Sequence, residues 1–300
     1  MGETKLFLNL EHGGQTRVLR ELKKALRLGW KEMAELLEVN RSMVFFYLKE
    51  TCRMPYEKIL LVEKKNPELN LSGYTKLETI ELADYGKNMA SRPVLDNKLA
   101  EFLGALAGDG CVCKTGNEVS ISCSAIVDRD YIENRINRLF WKLFKIKPKI
   151  RTQKNLIQCR TYSKEIRLFL SKNYGFPVGN RKNRTFIPRK ILDNPALLSC
   201  YLRGLFDTDG SFHRKRIDSA VVEYISHSPK FLLQIRDSLR KLGFSASLSG
   251  TSVYIYDQKQ VHEFFKKVKP KNLKHITKYK IFKETGKVPV HKEIAELLRP

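Results

Sequence analysis

The sequence has few acidic residues for its number of basic ones, and it has no long apolar run. Its 300 residues include 56 Lys and Arg against 32 Asp and Glu, a net charge of +24. No segment is apolar over the length that a bilayer span needs, so we expect no membrane partner. The first residues also lack the basic-then-apolar pattern of a signal peptide and the pattern for myristoylation. These absences favour a cytoplasmic, nucleoid-associated protein.

Cysteine is present but not in any metal-binding arrangement. There is no C-x-x-C pair, and no set of Cys and His has the spacing of a zinc module. We therefore predict that the cysteines are small core residues in a reducing compartment. The six are Cys52, Cys111, Cys113, Cys123, Cys159 and Cys200.

The positive charge is concentrated in one part of the chain. Residues 1–95 hold 16 basic and 13 acidic residues, whereas residues 96–300 hold 40 and 19. An excess of one sign attracts a polyanion through Coulomb forces and counterion release. Double-stranded DNA is therefore the expected partner, and residues 96–300 are expected to provide most of the contact.

Residues 1–68 are predicted to form a small all-α domain. The segments "WKEMAELLE" and "MVFFYLKE" have helical periodicity and flank the break "VNRS", which fits a helix-turn-helix corner. This order resembles the Cro/repressor-type helix-turn-helix family. Arg41 is the candidate DNA contact of the second helix, and Ser42 is its candidate cap. The alternative is a helical cap packed on the next domain. Residues 69–95 are predicted to be a linker.

From residue 96 the chain repeats itself. A helix that ends in Asp-Gly occurs at 97–110 and again at 196–210, and each copy is followed by strands, a longer amphipathic helix, more strands and a final helix. The sequence thus predicts an α+β fold with two pseudo-symmetric αββαββα units at 96–178 and 179–286. A helical tail of unknown role is expected at 287–300.

The predicted strands alternate between a polar and an apolar face, and the apolar face, which includes Ile150, is expected to be covered by helices. The other face is rich in hydroxyl, amide and basic side chains, which can contact the DNA backbone and base edges. The candidate DNA contacts are Ser120, Ser122, Lys149, Arg151, Gln153, Arg160, His213 and Lys215.

The two Asp-Gly helix ends carry the strongest chemical signal. Gly104 and Gly204 occupy equivalent positions and would let the two helix backbones pack closely. Asp109 and Asp209 would then meet at the negative ends of two helix dipoles, where a divalent cation such as Mg²⁺ relieves the repulsion. Two acids beside a basic surface suit phosphodiester hydrolysis. The glycines that follow them, Gly110 and Gly210, are predicted to adopt the left-handed conformation.

The motifs "FLGALAGDG" (102–110) and "LRGLFDTDG" (202–210) resemble the paired signatures of LAGLIDADG homing endonucleases in the two-motif, single-chain form. Segments "GNRKNRTFIPRKIL" and "KPKNLKHITKYKIF" resemble archaeal intein-type members. The resemblance implies a DNA-binding saddle and double-strand cleavage with divalent metal. It implies that Asp109 and Asp209 bind the metal, with Gly108 and Thr208 beside them. Lys182, or the neighbouring Arg184, and Lys274 or Lys278 are the implied catalytic cations.

Asp207 has Ala107 as its counterpart, so it is expected to be dispensable for metal binding. The chain lacks a His-Asn ending, which favours a free-standing, monomeric enzyme of a mobile element, such as an intron, over an intein. Two alternatives stay open: a DNA-binding transcriptional regulator with a decayed LAGLIDADG fold, and a maturase whose partner is intron RNA.

Overall fold

The computed structural model describes residues 13–65, 93–216 and 219–299. The chain divides into two compact units, Met1–Gly86 and Lys87–Pro300, and each has a hydrophobic core of its own. Within the described ranges, no helix has the length and apolar character that crossing a membrane requires. The predicted linker at 69–95 lies almost entirely outside the described residues.

The N-terminal unit contains four helices. They are α1 (Gly14–Ala25), α2 (Trp30–Leu36), α3 (Arg41–Leu48) and α4 (Tyr56–Lys65). Leu19, Met33 and Val44 are fully buried between them. The side chain of Asn40 caps α3 by accepting a hydrogen bond from the Met43 amide at 2.9 Å. The predicted cap Ser42 is therefore wrong, because its hydroxyl donates to Asn40 instead.

The second unit has the α+β fold predicted from the repeat. Its first copy comprises α5 (Asn97–Asp109), β1 (Gly110–Val112), β2 (Glu118–Ser124), α6 (Asn137–Phe144), β3 (Lys149–Gln153), β4 (Leu156–Tyr162) and α7 (Lys164–Tyr174). After the short α8 (Arg189–Leu192), its second copy comprises α9 (Pro195–Asp209), β5 (Gly210–Arg216), β6 (Ser219–Ile225), α10 (Pro229–Lys241), β7 (Ser247–Ser249), β8 (Ser252–Ile255) and α11 (Gln258–Lys267). Two helices follow, α12 (Leu273–Thr285) and α13 (His291–Leu297).

Each copy builds one antiparallel sheet of four strands. The strand orders are β1-β2-β4-β3 and β5-β6-β8-β7, so the two sheets have the same topology. Every residue of β3 is exposed, including Ile150 at 38%. The prediction that Ile150 lies on a helix-covered face is therefore wrong, because β3 is an edge strand whose two faces are both open.

Two further local features differ from the sequence-based expectation. A π-helical segment, Tyr131–Ile136, runs directly into α6, and no residue pattern announced it. Three of the cysteines, Cys123, Cys159 and Cys200, are buried as predicted. The other three are not core residues: one of them is exposed and two are half-buried. These are Cys111, Cys52 and Cys113.

Candidate active site at the paired helix ends

Helices α5 and α9 pack backbone against backbone. A methyl group added to Gly104 would collide with the carbonyl of Tyr201, and one added to Gly204 would collide with the carbonyl of Glu101. Each helix begins at a side-chain cap: Asp96 accepts from two amides of α5, and Asn194 accepts from two amides of α9. The glycines thus fix the separation of the two helices, and the C-terminal ends meet as a consequence.

Both helices pass straight into strands at Gly110 and Gly210. Their backbone is extended, with φ values of −88° and −83°, so the predicted left-handed conformation is wrong. Glycine is required here for a different reason. A side chain at either position would collide with the preceding turn of its own helix, at Leu106 or at Phe206.

The two helices end in Asp109 and Asp209, and these ends lie against each other. A methyl group on Gly108 would come within 3.1 Å of the Asp209 Cβ atom. Burial and then the nearby Asp209 carboxylate raise the pKa of Asp109 to about 6. Burial also raises the pKa of Asp209, although Arg181 and Lys274 oppose that shift. The pair is therefore poorly compensated when both carboxylates are ionised.

Lys274 is the cation common to both acids. Its positive charge favours the ionised forms of Asp109 and Asp209, and its ammonium lies 3.0 Å from the buried Asp128 carboxylate. The other predicted lysine of this segment, Lys278, donates to the Phe212 carbonyl at 3.2 Å. Burial, and then Lys274, lower the pKa of Lys278.

Arg181 is a site residue that sequence reasoning missed. Its guanidinium donates to the carbonyls of Leu106, Ala107 and Gly108 at 2.9–3.0 Å, and so covers the free carbonyls at the end of α5. It also favours the ionised form of Asp209. A helix end that contains buried carboxylates requires a donor, but the sequence does not show that Arg181, rather than its neighbours, provides it.

The predicted cations next to Arg181 are exposed. Lys182 and Arg184 both lie at the surface, and Arg184 donates to the Asn180 carbonyl at 3.2 Å. Lys182 lines an open cleft of about 740 Å³ together with Asp209 and His227. The structure therefore brings Lys182 to the Asp209 side of the site, and it also adds an imidazole that the sequence analysis had not considered.

Asp207 has a purely structural set of partners. Its side chain is fully buried, and its carboxylate accepts from the backbone amides of Lys271 and Asn272 at 2.9–3.1 Å. Burial raises its pKa to about 7, against the effect of these hydrogen bonds. An acid at this position therefore anchors the segment before α12, which explains why it occurs in an apolar helix.

The remaining residues of the predicted metal set are engaged within the protein. The Gly108 carbonyl accepts from Arg181, and the Thr208 hydroxyl donates to the Gly204 and Leu205 carbonyls at 3.0 and 3.2 Å. Over the three described ranges, no group of three or more His, Cys, Asp or Glu side chains has the spacing to hold a metal ion.

The polar face of the first sheet carries most of the predicted DNA contacts. Cross-strand pairing aligns Lys149 with Arg160, and Arg151 with Gln158. All of β3, including Gln153, is exposed. Ser122 is half-buried. Ser120 is a correction: its side chain is 1% exposed, because β2 lies inside the sheet between β1 and β4, so its hydroxyl cannot reach DNA.

On the second sheet, strand β5 presents the remaining predicted contacts. His213 is 41% exposed at its side chain, and its Nδ1 atom lies 3.2 Å from the Ser211 hydroxyl. The ammonium of Lys215 lies over the rings of Tyr254 and Tyr256, at 4.8 and 4.6 Å from their centroids. These contacts hold a basic side chain on the sheet surface through cation–π attraction.

In the N-terminal unit, Arg41 is exposed at the start of α3. Its guanidinium lies 5.9 Å from the ring centroid of Phe45. Phe45 and Phe46 are 37% and 48% exposed, whereas Val44 and Tyr47 are buried. The apolar run of α3 therefore divides into a core side and a solvent-facing aromatic side.

Comparison with known proteins finds a family match in the second copy. Residues 197–269 match the family model described as a LAGLIDADG-like domain. An A-type ATP synthase protein from Pyrococcus abyssi (strain GE5 / Orsay), the A subunit, is 30% identical over 176 residues, which cover 56% of this chain and 16% of that protein. The chain thus spans less than a fifth of the length of this curated relative.

Among solved structures, the crystal structure of I-DmoI in complex with DNA and Mn is 17% identical. It covers 58% of this chain and 97% of that chain, with a TM-score of 0.42. The N-terminal LAGLIDADG domain of DUF199/WhiA is 16% identical and covers 60% of this chain and 86% of that chain, with a TM-score of 0.42. I-SmaMI bound to uncleaved DNA with calcium ions is 12% identical, covers 66% and 96%, and has a TM-score of 0.40.

Proposed function

We propose that this chain is a metal-dependent DNA endonuclease that cuts both strands of a long asymmetric site. The observation that carries the proposal is the pair of carboxylates, Asp109 and Asp209, at the touching ends of α5 and α9. One comes from each copy of the repeat, so the pair is related by the pseudo-symmetry, as the two strands of a duplex are. Lys274 and Arg181 lie beside them, and basic strands belong to the same unit.

The two acids fit a divalent cation. Their mutual repulsion and burial, seen in the raised pKa of Asp109, are relieved when a cation binds between them. Asp109 and Asp209 would hold Mg²⁺ or a similar ion, which when bound polarises a phosphate and activates water for hydrolysis. Two protein ligands suit Mg²⁺, because it keeps waters and takes substrate phosphates as further ligands.

The surrounding cations would act on the scissile phosphate. Lys274 has its ammonium beside both acids and can stabilise the negative charge that develops there. Lys278 is the weaker candidate, because its amine is directed to the Phe212 carbonyl. Lys182 borders the cleft next to Asp209 and can take the equivalent part for the second strand. Arg181 instead holds the end of α5, and we assign it to the support of the site.

We further propose that the polar faces of both sheets contact DNA. On the first sheet, the aligned rows that contain Lys149 and Arg151 can neutralise phosphates or read base edges. On the second, the exposed side chains of His213 and Lys215 occupy β5. Together with the charge of +21 over residues 96–300, from 40 basic and 19 acidic residues, these faces form the DNA-binding saddle.

The N-terminal unit is proposed to be a helix-turn-helix module that adds contacts beside the saddle. Helices α2 and α3 are joined by four residues, and Arg41 is exposed at the start of α3. A monomer suffices, since one chain carries both acids. We place the enzyme in the homing of an intron or another mobile element, related to the intein-type endonucleases, and acting at the nucleoid.

The test uses a plasmid that carries the uninterrupted sequence at the gene's insertion boundary, because a homing enzyme cuts the site that its own element occupies. Wild-type protein with Mg²⁺ should linearise it. Asp109→Asn and Asp209→Asn should abolish double-strand cleavage and keep DNA binding, measured by gel shift in Ca²⁺. Asp130→Asn, an exposed acid outside the site, is the matched control. Cutting by both site variants at the wild-type rate would contradict the metal assignment.

A DNA-binding regulator is the second candidate, because the basic sheet faces can bind DNA without the acids. It predicts binding without any cleavage, and the same binding by the Asp109→Asn variant. A maturase predicts instead that structured intron RNA competes with the DNA for the saddle. The plasmid assay, repeated with competitor RNA, therefore separates the three functions.

A further inference from the structure

The lysine at the centre of the site is held by a residue from the opposite half of the repeat. The ammonium of Lys274, from the segment that follows the second copy, lies 3.0 Å from the Oδ1 atom of Asp128, which belongs to the first copy. Their side chains are only 15% and 7% exposed. A lysine side chain has four flexible carbons, so it directs its charge at a defined point only when a partner restrains it.

Asp128 is itself fixed from several directions. Its Oδ2 atom accepts from the Ser124 amide at 3.2 Å, and its Oδ1 atom accepts from the Asn272 side-chain amide at 2.6 Å, in addition to the contact with Lys274. A buried carboxylate with three donors cannot turn without losing one of them. Lys274 is therefore paired with an anchored acid and not with a mobile one.

Asn272 connects this acid to the second motif. Its side-chain amide also donates to the Asp207 carbonyl at 2.8 Å, and its carbonyl oxygen accepts from the Lys274 backbone amide at 3.0 Å. The Asp207 carboxylate in turn accepts from the backbone amides of Lys271 and Asn272. A continuous chain of hydrogen bonds thus runs from the second motif, through Asn272, to Asp128 in the first copy.

We propose that Asp128 is a positioning residue, which fixes the ammonium of Lys274 beside Asp109 and Asp209, and that Asn272 sets this arrangement in register with both copies. The inference rests on the proposed nuclease function for its consequence, although the restraint itself is independent of DNA. Asp128 does not touch the scissile phosphate in this scheme. It determines where the charge of Lys274 lies, and a displaced catalytic group loses much of its effect.

The restraint is tested first without any cleavage assay. In the full-length protein, free of DNA and metal, the rate at which an amine-acylating reagent modifies Lys274 is measured by mass spectrometry. Asp128→Asn should raise that rate several-fold and leave the rate at Lys278 unchanged. Asp130→Asn, two residues away, is the matched control. An unchanged rate at Lys274, or an equal rise at both lysines, would overturn the proposal.

If the Asn variant does not fold by circular dichroism, Asp128→Ser removes the carboxylate with a smaller side chain and provides the same comparison. The functional consequence is tested by single-turnover cleavage. Asp128→Asn should slow it by about a hundredfold while the DNA affinity stays unchanged. The double variant Asp128→Asn/Lys274→Met should be no slower than Lys274→Met alone, and additive losses would overturn the coupling.

The two failures can be distinguished. If the wild-type protein does not cut the junction plasmid, the proposed function fails, but the acylation rates still decide whether Asp128 restrains Lys274. If the wild-type protein cuts and the acylation rates do not change, the endonuclease stands and the positioning role of Asp128 is wrong.

Discussion

At the scale of single residues, the site stores an electrostatic cost in Asp109. Burial, and next the neighbouring Asp209, raise its pKa from 3.8 to about 6. A carboxyl with a higher pKa in the folded chain holds its proton more tightly there than in the unfolded chain. Its ionisation therefore destabilises the fold progressively as pH rises through the interval between about 4 and 6, and the full cost remains above it. A bound cation would remove that cost.

We therefore predict that Asp109→Asn stabilises the metal-free protein at pH 7.5. Its advantage over the wild type should grow by about 2 kcal/mol between pH 4.5 and pH 7.5, since one unit of pKa corresponds to about 1.4 kcal/mol. Urea unfolding in EDTA at several pH values measures it. The Asp130→Asn control should show no such trend. A wild-type protein that is more stable than Asp109→Asn at pH 7.5 in EDTA would contradict the electrostatic account.

The residues of the site differ in how far the sequence could identify them. Asp109 and Asp209 stand one hundred positions apart in repeated motifs, and a repeat announces itself. Asp128 and Asn272 have no counterpart in a motif, and their relation exists only because the chain returns to the first copy after the second. Arg181 has basic neighbours on both sides of a short stretch, so composition alone could not select it. Long-range partners of this kind require the structure.

At the scale of secondary-structure elements, alternation in the strands predicted the sheets well where both neighbours exist. In β4, Ile157 and Cys159 are fully buried, and the polar residues between them are partly exposed. Alternation failed in β3, because the sequence of a strand does not reveal whether it lies at the edge of its sheet. It also could not reveal that Ser120, on the polar face, is covered. Position in the sheet, a non-local property, decides both cases.

The exposure of β3 leads to a prediction about DNA binding. Changing Lys149 and Arg151 together to Ala should weaken binding and reduce the log–log slope of affinity against salt by about one to two, if both side chains neutralise phosphates. Fluorescence anisotropy across a salt series measures the slope. Lys142→Ala/Lys230→Ala, which removes two exposed lysines from α6 and α10, is the matched control. Equal slopes for the wild type and the β3 variant would mean that this strand faces away from DNA.

At the scale of the whole molecule, charge and hydrophobic cores are distributed differently between the two units. The N-terminal unit has its own core, which includes Leu19, Met33 and Val44. Residues 1–95 carry 16 basic and 13 acidic residues, a net of only +3. Coulomb attraction to DNA therefore comes almost entirely from the second unit. An N-terminal module with so little charge contributes through shape and a few specific contacts, with Arg41 as the best candidate.

We predict that a chain starting at Ser91 folds and cleaves, because α5 to α13 include both acids, Lys274 and the separate core of the second unit. It should bind the target more weakly and protect a segment shorter by several base pairs, since the contacts of α3 are lost. DNase footprinting of both proteins on the same site measures this length, and Arg41→Ala in the full chain should reduce affinity without shortening the footprint as far. Footprints of equal length would mean that the N-terminal unit does not touch DNA, and its exposed Phe45 and Phe46 would then be candidates for contact with a protein instead.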